Sequence, residues 1–162
     1  MEEKTDCGED LYKRYSTGEA FIVSSQMVKK LYERMWSDTR KHYELTQNEI
    51  DVLLFLKNFA PMDTAGDIAR CRALSRSLVS KSVESLIQCG YLDGEPDSRD
   101  RRYFHLKLTE KAEQVLREMQ KIRSNFWSML QEGVTPEEME QFLRVLGKMR
   151  HNLEKILPQG QE

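Results

Sequence analysis

One stretch near residue 100 constrains the fold most, because it is the only alternating segment among patterns that are otherwise helical. Polar and apolar residues alternate from Tyr103 to Leu108, and a period of two residues predicts a β-strand. The segment from Tyr91 to about Gly94 predicts the partner strand, and Pro96 falls in the connecting loop. We therefore expect one β-hairpin in a mainly α-helical (α+β) chain.

The loop of this hairpin carries a charge cluster, defined as residues 97–102, in which five of the six residues are charged. A loop that approaches phosphate groups needs arginine, because neutralising a nucleic-acid backbone requires clustered positive charge. We expect the two carboxylates, Asp97 and Asp100, to pair with the guanidinium groups and fix their directions. Those groups belong to Arg99, Arg101 and Arg102. The alternative is a charged turn that serves only solubility.

Two short helices are predicted immediately before the hairpin. The first starts near Thr64, and the second has Ser75 as its N-cap and Gly90 as a left-handed C-cap. The second helix has an apolar inward stripe and an opposite face that is polar with little charge. The stripe consists of Val79, Val83 and Leu86, and the polar face consists of Arg76, Ser77, Ser80, Lys81 and Glu84.

Longer helices flank this region. An amphipathic helix is predicted from Ala20 to about His42, and Thr46 with Glu49 forms a capping box that opens a largely apolar, central helix. After the hairpin, a helix of about 24 residues runs to Gly133. A second capping box at residues 135–138 opens the last helix.

Composition restricts the function classes. Net charge is −2, yet residues 70–107 hold eight basic and five acidic residues, a net charge of +3. The chain has no G-x-S-x-G, P-loop, G-x-G-x-x-G or H-E-x-x-H motif, so we expect no enzyme activity. Three cysteines without C-x-x-C spacing and three scattered histidines predict neither a metal site nor a cofactor. An acidic, polar amino terminus and the lack of a long apolar run predict a cytoplasmic protein without a membrane partner.

Two short helices followed by a hairpin with a charged tip form the layout of a winged helix-turn-helix. In this fold the second helix enters the major groove of duplex DNA, and the hairpin, or wing, reaches the backbone or the minor groove. The predicted DNA-binding residues are Ser75, Arg76, Ser77, Ser80, Lys81, Asp97, Arg99, Arg101 and Arg102. A winged-helix module for protein–protein assembly or RNA binding remains the alternative, because a fold alone does not determine function.

Residues 74–112, LSRSLVSKSVESLIQCGYLDGEPDSRDRRYFHLKLTEKA, resemble the recognition helix and wing of the MarR family of bacterial transcriptional regulators, above all in D-x-R-D-x-R and L-T-E-K. The resemblance implies a homodimer on a pseudo-palindromic operator, with Asp97 and Arg99 as the wing-tip pair and Arg99 in the minor groove. It also places Ser77, Ser80 and Lys81 on the base-reading face. Leu78 and Ala112 depart from the family pattern, which has a small polar residue and glycine there. Leu78 either meets a thymine methyl group or packs internally.

The resulting prediction is a ligand-responsive repressor that acts as a homodimer. We assign residues 1–18 to a flexible arm, 19–45 to an N-terminal dimerisation helix, 46–109 to the DNA-binding lobe, 110–157 to C-terminal dimerisation helices and 158–162 to a tail. The apolar stripes of the first and last two helices exceed what one small lobe can cover, which favours a second subunit. A small aromatic or phenolic effector is expected at the joint between the first two helices, unless the aromatic side chains there only pack. Its predicted contacts are Tyr32, Met35, Trp36, His42 and Tyr43.

Overall fold

The computed structural model describes residues 16–72, 74–100 and 103–156. The described chain is mostly helical with one two-stranded antiparallel sheet, which confirms the predicted fold class. Its elements are α1 (Thr17–Met35), α2 (Ser37–Tyr43), α3 (Gln47–Asn58), α4 (Ala65–Arg72), α5 (Arg76–Gln88), β1 (Leu92–Pro96), β2 (Phe104–Leu108), α6 (Glu110–Leu130) and α7 (Pro136–Ile156). The predicted tail, 158–162, and most of the predicted arm lie outside the described residues.

The prediction of one uninterrupted helix to about His42 is wrong, because the chain breaks at Trp36. This residue has φ −88° and ψ 0° and joins α1 to α2. The Trp36 side chain is 0% exposed, so the residue at the break is packed in the core. Helix α1 also starts earlier than predicted, at Thr17, because Ser16 and Glu19 form a capping box.

The predicted helix caps are confirmed. The backbone N–H of Thr46 donates to Glu49 Oε2 at 2.6 Å, and that of Glu49 donates to Thr46 Oγ1 at 3.3 Å. At the start of α7 the equivalent bonds between residues 135 and 138 measure 2.9 and 3.2 Å. Gly90 and Gly133 have φ of +73° and +79°, the left-handed conformation that glycine adopts at little cost.

The core is built around α3, as its largely apolar sequence predicts. Helices α5 and α6 and strand β2 all pack against it. The buried apolar side chains of α3 are Ile50, Val52, Leu53, Leu54, Phe55 and Leu56. Because α4 and β1 in turn pack on α5, this core holds the two short helices and the hairpin as one lobe.

The hairpin extends further than predicted. Strand β1 continues beyond Gly94 to Pro96, and the antiparallel register runs from Leu92 opposite Leu108 to Pro96 opposite Phe104. Gly94 packs closely against a neighbouring ring, because a Cβ atom there would lie 2.1 Å from Cε1 of Phe104 unless that ring moved. The loop after α3 adds a third segment, through a β-bridge between Thr64 and His105.

Candidate nucleic-acid interface

Helix α5 is fixed to the lobe by its predicted inward stripe. Val79, Val83 and Leu86 are all buried, and the side chain of Ser75 accepts a hydrogen bond from the backbone N–H of Leu78 at 3.3 Å, which caps the helix as predicted. Ser82 is also buried, and its hydroxyl donates to the carbonyl oxygen of Leu78 at 3.0 Å. One side of α5 is therefore anchored, and the other side faces solvent.

The solvent side of α5 contains the predicted base-reading residues. Arg76, Ser77, Ser80 and Lys81 are all exposed, as residues three and four apart on a helix share a face. Leu78 is 37% exposed, so it projects from the first turn of α5 instead of joining the core. With the exposed Glu84, the face carries two cations, one anion and two serines, and the exposed Leu78 adjoins it.

The wing loop is organised by the carboxylate of Asp97. Its Oδ1 accepts hydrogen bonds from the backbone N–H groups of Arg99 at 2.7 Å and Asp100 at 2.8 Å. The backbone of Tyr103 closes the loop, because its carbonyl accepts from Asp97 N and its N–H donates to Asp100 O, both at 2.9 Å. Hydrogen bonds to the carboxylate lower the pKa of Asp97 to about 2. The bond from the Asp100 N–H contributes most, a bond with the His105 side chain contributes next, and the bond from the Arg99 N–H contributes third.

The prediction that Asp97 pairs with the guanidinium group of Arg99 is wrong, although the two residues are in contact. Asp97 holds Arg99 through its backbone N–H and not through its guanidinium group, which is exposed and forms no ion pair with any residue that the structure describes. Charge-assisted bonds to a tight turn are short and local, whereas an exposed ion pair must immobilise a long side chain. Arg101 and Arg102 lie outside the described residues.

A second contact ties the wing loop to the rest of the lobe. Nδ1 of His105 lies 2.7 Å from Oδ1 of Asp63, and Nε2 lies 3.1 Å from Oδ2 of Asp97. The two carboxylates raise the pKa of His105, with the Asp63 hydrogen bond as the larger cause. Sequence reasoning missed this group, because Asp63 and His105 are 42 residues apart and no motif links them.

A neighbouring cross-strand pair completes the charged groups of the hairpin. The amine of Lys107 lies 2.6 Å from Oε1 of Glu95, and this contact lowers the pKa of Glu95. Both side chains are largely exposed, so the pair stabilises the hairpin only slightly. Lys107 is consequently a neutralised cation, unlike Arg99.

The five predicted effector contacts do not share one cavity. Trp36 is buried in the core, and Tyr32 packs edge-on against its ring with the centroids 5.8 Å apart. The hydroxyl of Tyr32 donates to Asp51 Oδ1 at 2.8 Å, and burial is the main cause that raises the pKa of Tyr32 to about 12. Met35 also packs against the core.

His42 and Tyr43, in contrast, line a cavity of about 390 Å³. Its other walls come from the C-terminal end of α5, including Cys89, and from Lys111 of α6. Lys111 lies over the ring of Tyr91, 4.2 Å from its centroid, and donates to the carbonyl oxygen of Cys89 at 2.8 Å. This cavity therefore touches the base of the helix whose other end carries the base-reading face.

The described part of the chain offers little support for other kinds of site. It brings no three His, Cys, Asp or Glu side chains together in a way that would hold a metal ion. None of its helices combines the length and apolar character that crossing a bilayer requires.

Helices α4 and α5 followed directly by the β1–β2 hairpin define a winged helix-turn-helix protein. The family model described as the MarR family matches residues 43–102, from the end of α2 into the wing loop. This match and the structural similarities below support a winged-helix protein similar to the MarR family.

Solved MarR-family structures share this fold over most of their length. A MarR protein from Peptoclostridium difficile is similar at 18% sequence identity and a TM-score of 0.71, over 83% of this chain and 88% of that one. A MarR/EmrR family regulator from Acinetobacter sp. ADP1 is similar at 19% sequence identity and a TM-score of 0.72, over 85% of this chain and 96% of that one. BpsR from Bordetella bronchiseptica, whose DNA binding is regulated by 6-hydroxynicotinic acid, is similar at 21% sequence identity and a TM-score of 0.66. The similarity covers 83% of this chain and 93% of BpsR.

Proposed function

We propose that this protein binds duplex DNA sequence-specifically, with α5 in the major groove and the wing loop at the adjacent minor groove. The observation that carries the proposal is the orientation of α5 beside the wing. Its apolar side is anchored in the core, its polar side is exposed, and the neighbouring Arg99 has a held backbone and an exposed guanidinium group. A narrow minor groove has a strong negative potential that attracts an inserted arginine.

Individual roles follow from side-chain chemistry. Arg76 and Lys81 supply the positive charge for phosphate or guanine contacts, whereas Ser75, Ser77 and Ser80 have hydroxyls for base edges or phosphates. Leu78 is exposed in the same first turn of α5 and suits the methyl group of thymine. Asp97 shapes the wing turn, and Arg101 and Arg102 add positive charge close to it. Low charge on α5 favours recognition through a few base contacts over general attraction to the backbone.

We further propose a homodimer, supported by the uncovered apolar surface of the flanking helices. None of the residues of α7 is buried, although its stripe is strongly apolar. The exposed apolar side chains of α7 include Phe142, Leu146, Met149, Leu153 and Ile156, and those of α1 include Phe21, Ile22, Met27 and Leu31. A monomer rarely exposes so large an apolar surface, and an isologous interface with a second copy covers it. Residues 19–45 and 110–157 would then form the dimer, and 46–109 the DNA-binding lobe.

Repression of a promoter, relieved by a small aromatic or phenolic effector, completes the proposal. The cavity beside His42 and Tyr43 contacts the base of α5, so a ligand there would favour one orientation of α5 over another. A ligand shifts such an equilibrium only by its difference in affinity for the two states, and a full shift takes about 5.5 kcal/mol. Weak effectors should consequently release DNA only in part.

A gel-shift and footprinting experiment tests the main proposal. The probe is the DNA upstream of the protein's own gene, with duplex DNA of shuffled sequence and an RNA of the same length as competitors. We expect a protected inverted repeat with half-sites centred about one helical turn, roughly 10 bp, apart. Equal competition by the RNA, or protection without an inverted repeat, would contradict sequence-specific binding by a symmetric dimer.

A further inference from the structure

His105 contacts two carboxylates that are far apart in the sequence, Asp63 and Asp97. On one side is Asp63, in the loop between α3 and α4, and on the other is Asp97, which organises the wing turn. The side chains of all three residues are partly exposed, with His105 at 33%. The imidazole therefore lies between the helix-turn-helix and the wing tip, 2.7 Å and 3.1 Å from their respective carboxylates.

The protonation state of His105 follows from counting hydrogens. A carboxylate accepts hydrogen bonds but cannot donate one, and a neutral imidazole has a single N–H. In the neutral form, one of the two ring nitrogens would therefore direct a lone pair at a carboxylate oxygen. Only the imidazolium form, with an N–H on both nitrogens, makes both contacts attractive.

The charged groups around His105 favour that form. Asp63 and Asp97 touch it directly, and Glu95 lies opposite it in the β1–β2 register. Lys107 is on the same face of β2, two residues along, but its amine is paired with Glu95. The raised pKa of His105 agrees with this excess of negative charge.

Loss of the proton would weaken the link between the wing turn and Asp63 without unfolding the turn. Oδ1 of Asp97 bonds to the backbone N–H groups of Arg99 and Asp100, whereas only its Oδ2 contacts His105. Strand β2 is held separately, through the bond from Leu106 N to the carbonyl oxygen of Asp63 at 2.9 Å. The backbone bonds to Tyr103 keep the intact turn at the end of the hairpin, and the contact made by His105 adds the link between that turn and Asp63, which bears on the position of Arg99.

We propose that His105 in its imidazolium form is the positioning residue of the wing, which holds Asp97 against Asp63 and so makes the contribution of Arg99 to DNA affinity depend on pH. This inference rests on the proposed DNA-binding function. Affinity is then highest with His105 protonated and falls as pH rises through its pKa, which lies above the ordinary value of about 6.5. Because the charge pair is partly exposed, we expect its loss to decrease DNA affinity by roughly two- to fivefold.

The test measures binding to the footprinted operator by fluorescence anisotropy between pH 6 and 9 at constant ionic strength. The proteins are the wild type, His105→Gln, Arg99→Ala and the double variant. Glutamine does not titrate in this range, so the pH dependence of the wild type should flatten in His105→Gln. The matched control is His151→Gln on α7, which lies opposite the apolar stripe of that helix and should keep the wild-type pH profile.

The Arg99→Ala background separates positioning from simple attraction. If His105 acts by holding Arg99 in place, its substitution has no further effect once Arg99 is absent, and the pH dependence is lost there too. A pH dependence that persists in Arg99→Ala would instead show direct attraction between the imidazolium and phosphates, and would overturn the proposal. Wild-type protein that fails to bind the operator at any pH would refute the proposed function itself.

A measurement on the free protein avoids dependence on any variant that folds poorly. The ring-proton chemical shifts of His105, followed by NMR in the wild type, should titrate above the ordinary histidine pKa. Asp63→Asn should move that titration towards the ordinary value, because the larger cause of the shift is removed. A wild-type titration at or below 6.5 would exclude the doubly hydrogen-bonded imidazolium and overturn the proposal.

Discussion

Replacing Gly94 by alanine tests the packing that shapes the hairpin. The new Cβ atom would lie 2.1, 2.8 and 3.0 Å from Cε1, Cζ and Cδ1 of Phe104, whereas carbon atoms pack best at about 3.5–4.0 Å. The ring must therefore move. Because Phe104 is 45% exposed, its ring has room to turn into solvent, which places the cost at the low end of overpacking, about 1 kcal/mol. For a chain of this size, we expect a melting temperature about 3 °C lower.

A double-mutant cycle identifies the cause. A Phe104→Ala background removes the three nearest atoms to the new methyl group, so Gly94→Ala should there stabilise the protein by about 0.5 kcal/mol through the loss of backbone freedom in the unfolded chain. Gly94→Ala should thus destabilise the protein when the Phe104 ring is present and stabilise it when the ring is absent. Gly147→Ala on α7, where no atom lies within 4 Å of the added Cβ, provides a stabilising control of similar size. Chemical denaturation measures all the variants, and equal effects in both backgrounds would refute the argument.

Three further outcomes are expected. Arg99→Ala should weaken operator binding by about 1–3 kcal/mol, whereas Ser77→Ala should alter the preference at one base pair by about 1 kcal/mol or less. Gel shifts at fixed salt measure both effects. Equal operator affinity of Arg99→Ala and wild type would reject the wing contact. Leu146→Asp on α7 should shift sedimentation towards the 19.1 kDa monomer, and a wild type already at that mass would exclude the dimer. The lowered pKa of Asp97 stabilises the fold above about pH 4 and ceases to do so as pH falls to about 2, so acid unfolding of Asp97→Asn should depend less on pH in that range.

Local patterns were sufficient for most features whose cause is local, although the capping box of Ser16 and Glu19 at the start of α1 was missed. A capping box involves residues three apart, and a left-handed glycine needs only its own freedom from a Cβ atom, so both could be predicted from a few letters. The alternation in β2 and the inward stripe of α5 were predicted for the same reason. The break at Trp36 was not, because apolar spacing continues across it and the burial of the indole in the core is visible only in the tertiary structure.

Apart from the break at Trp36, sequence alone determined the order of elements, the exposed polar face of α5 and the position of a charged wing loop, since periodicity and turn chemistry act within a few residues. Tertiary structure decided which groups meet. It directed the carboxylate of Asp97 to backbone N–H groups instead of the guanidinium of Arg99, and it divided the predicted effector contacts between the core and a cavity. It also brought Asp63 to His105 across 42 residues. A contact of that kind depends on how α3, the following loop and the hairpin pack together, and no local pattern encodes it.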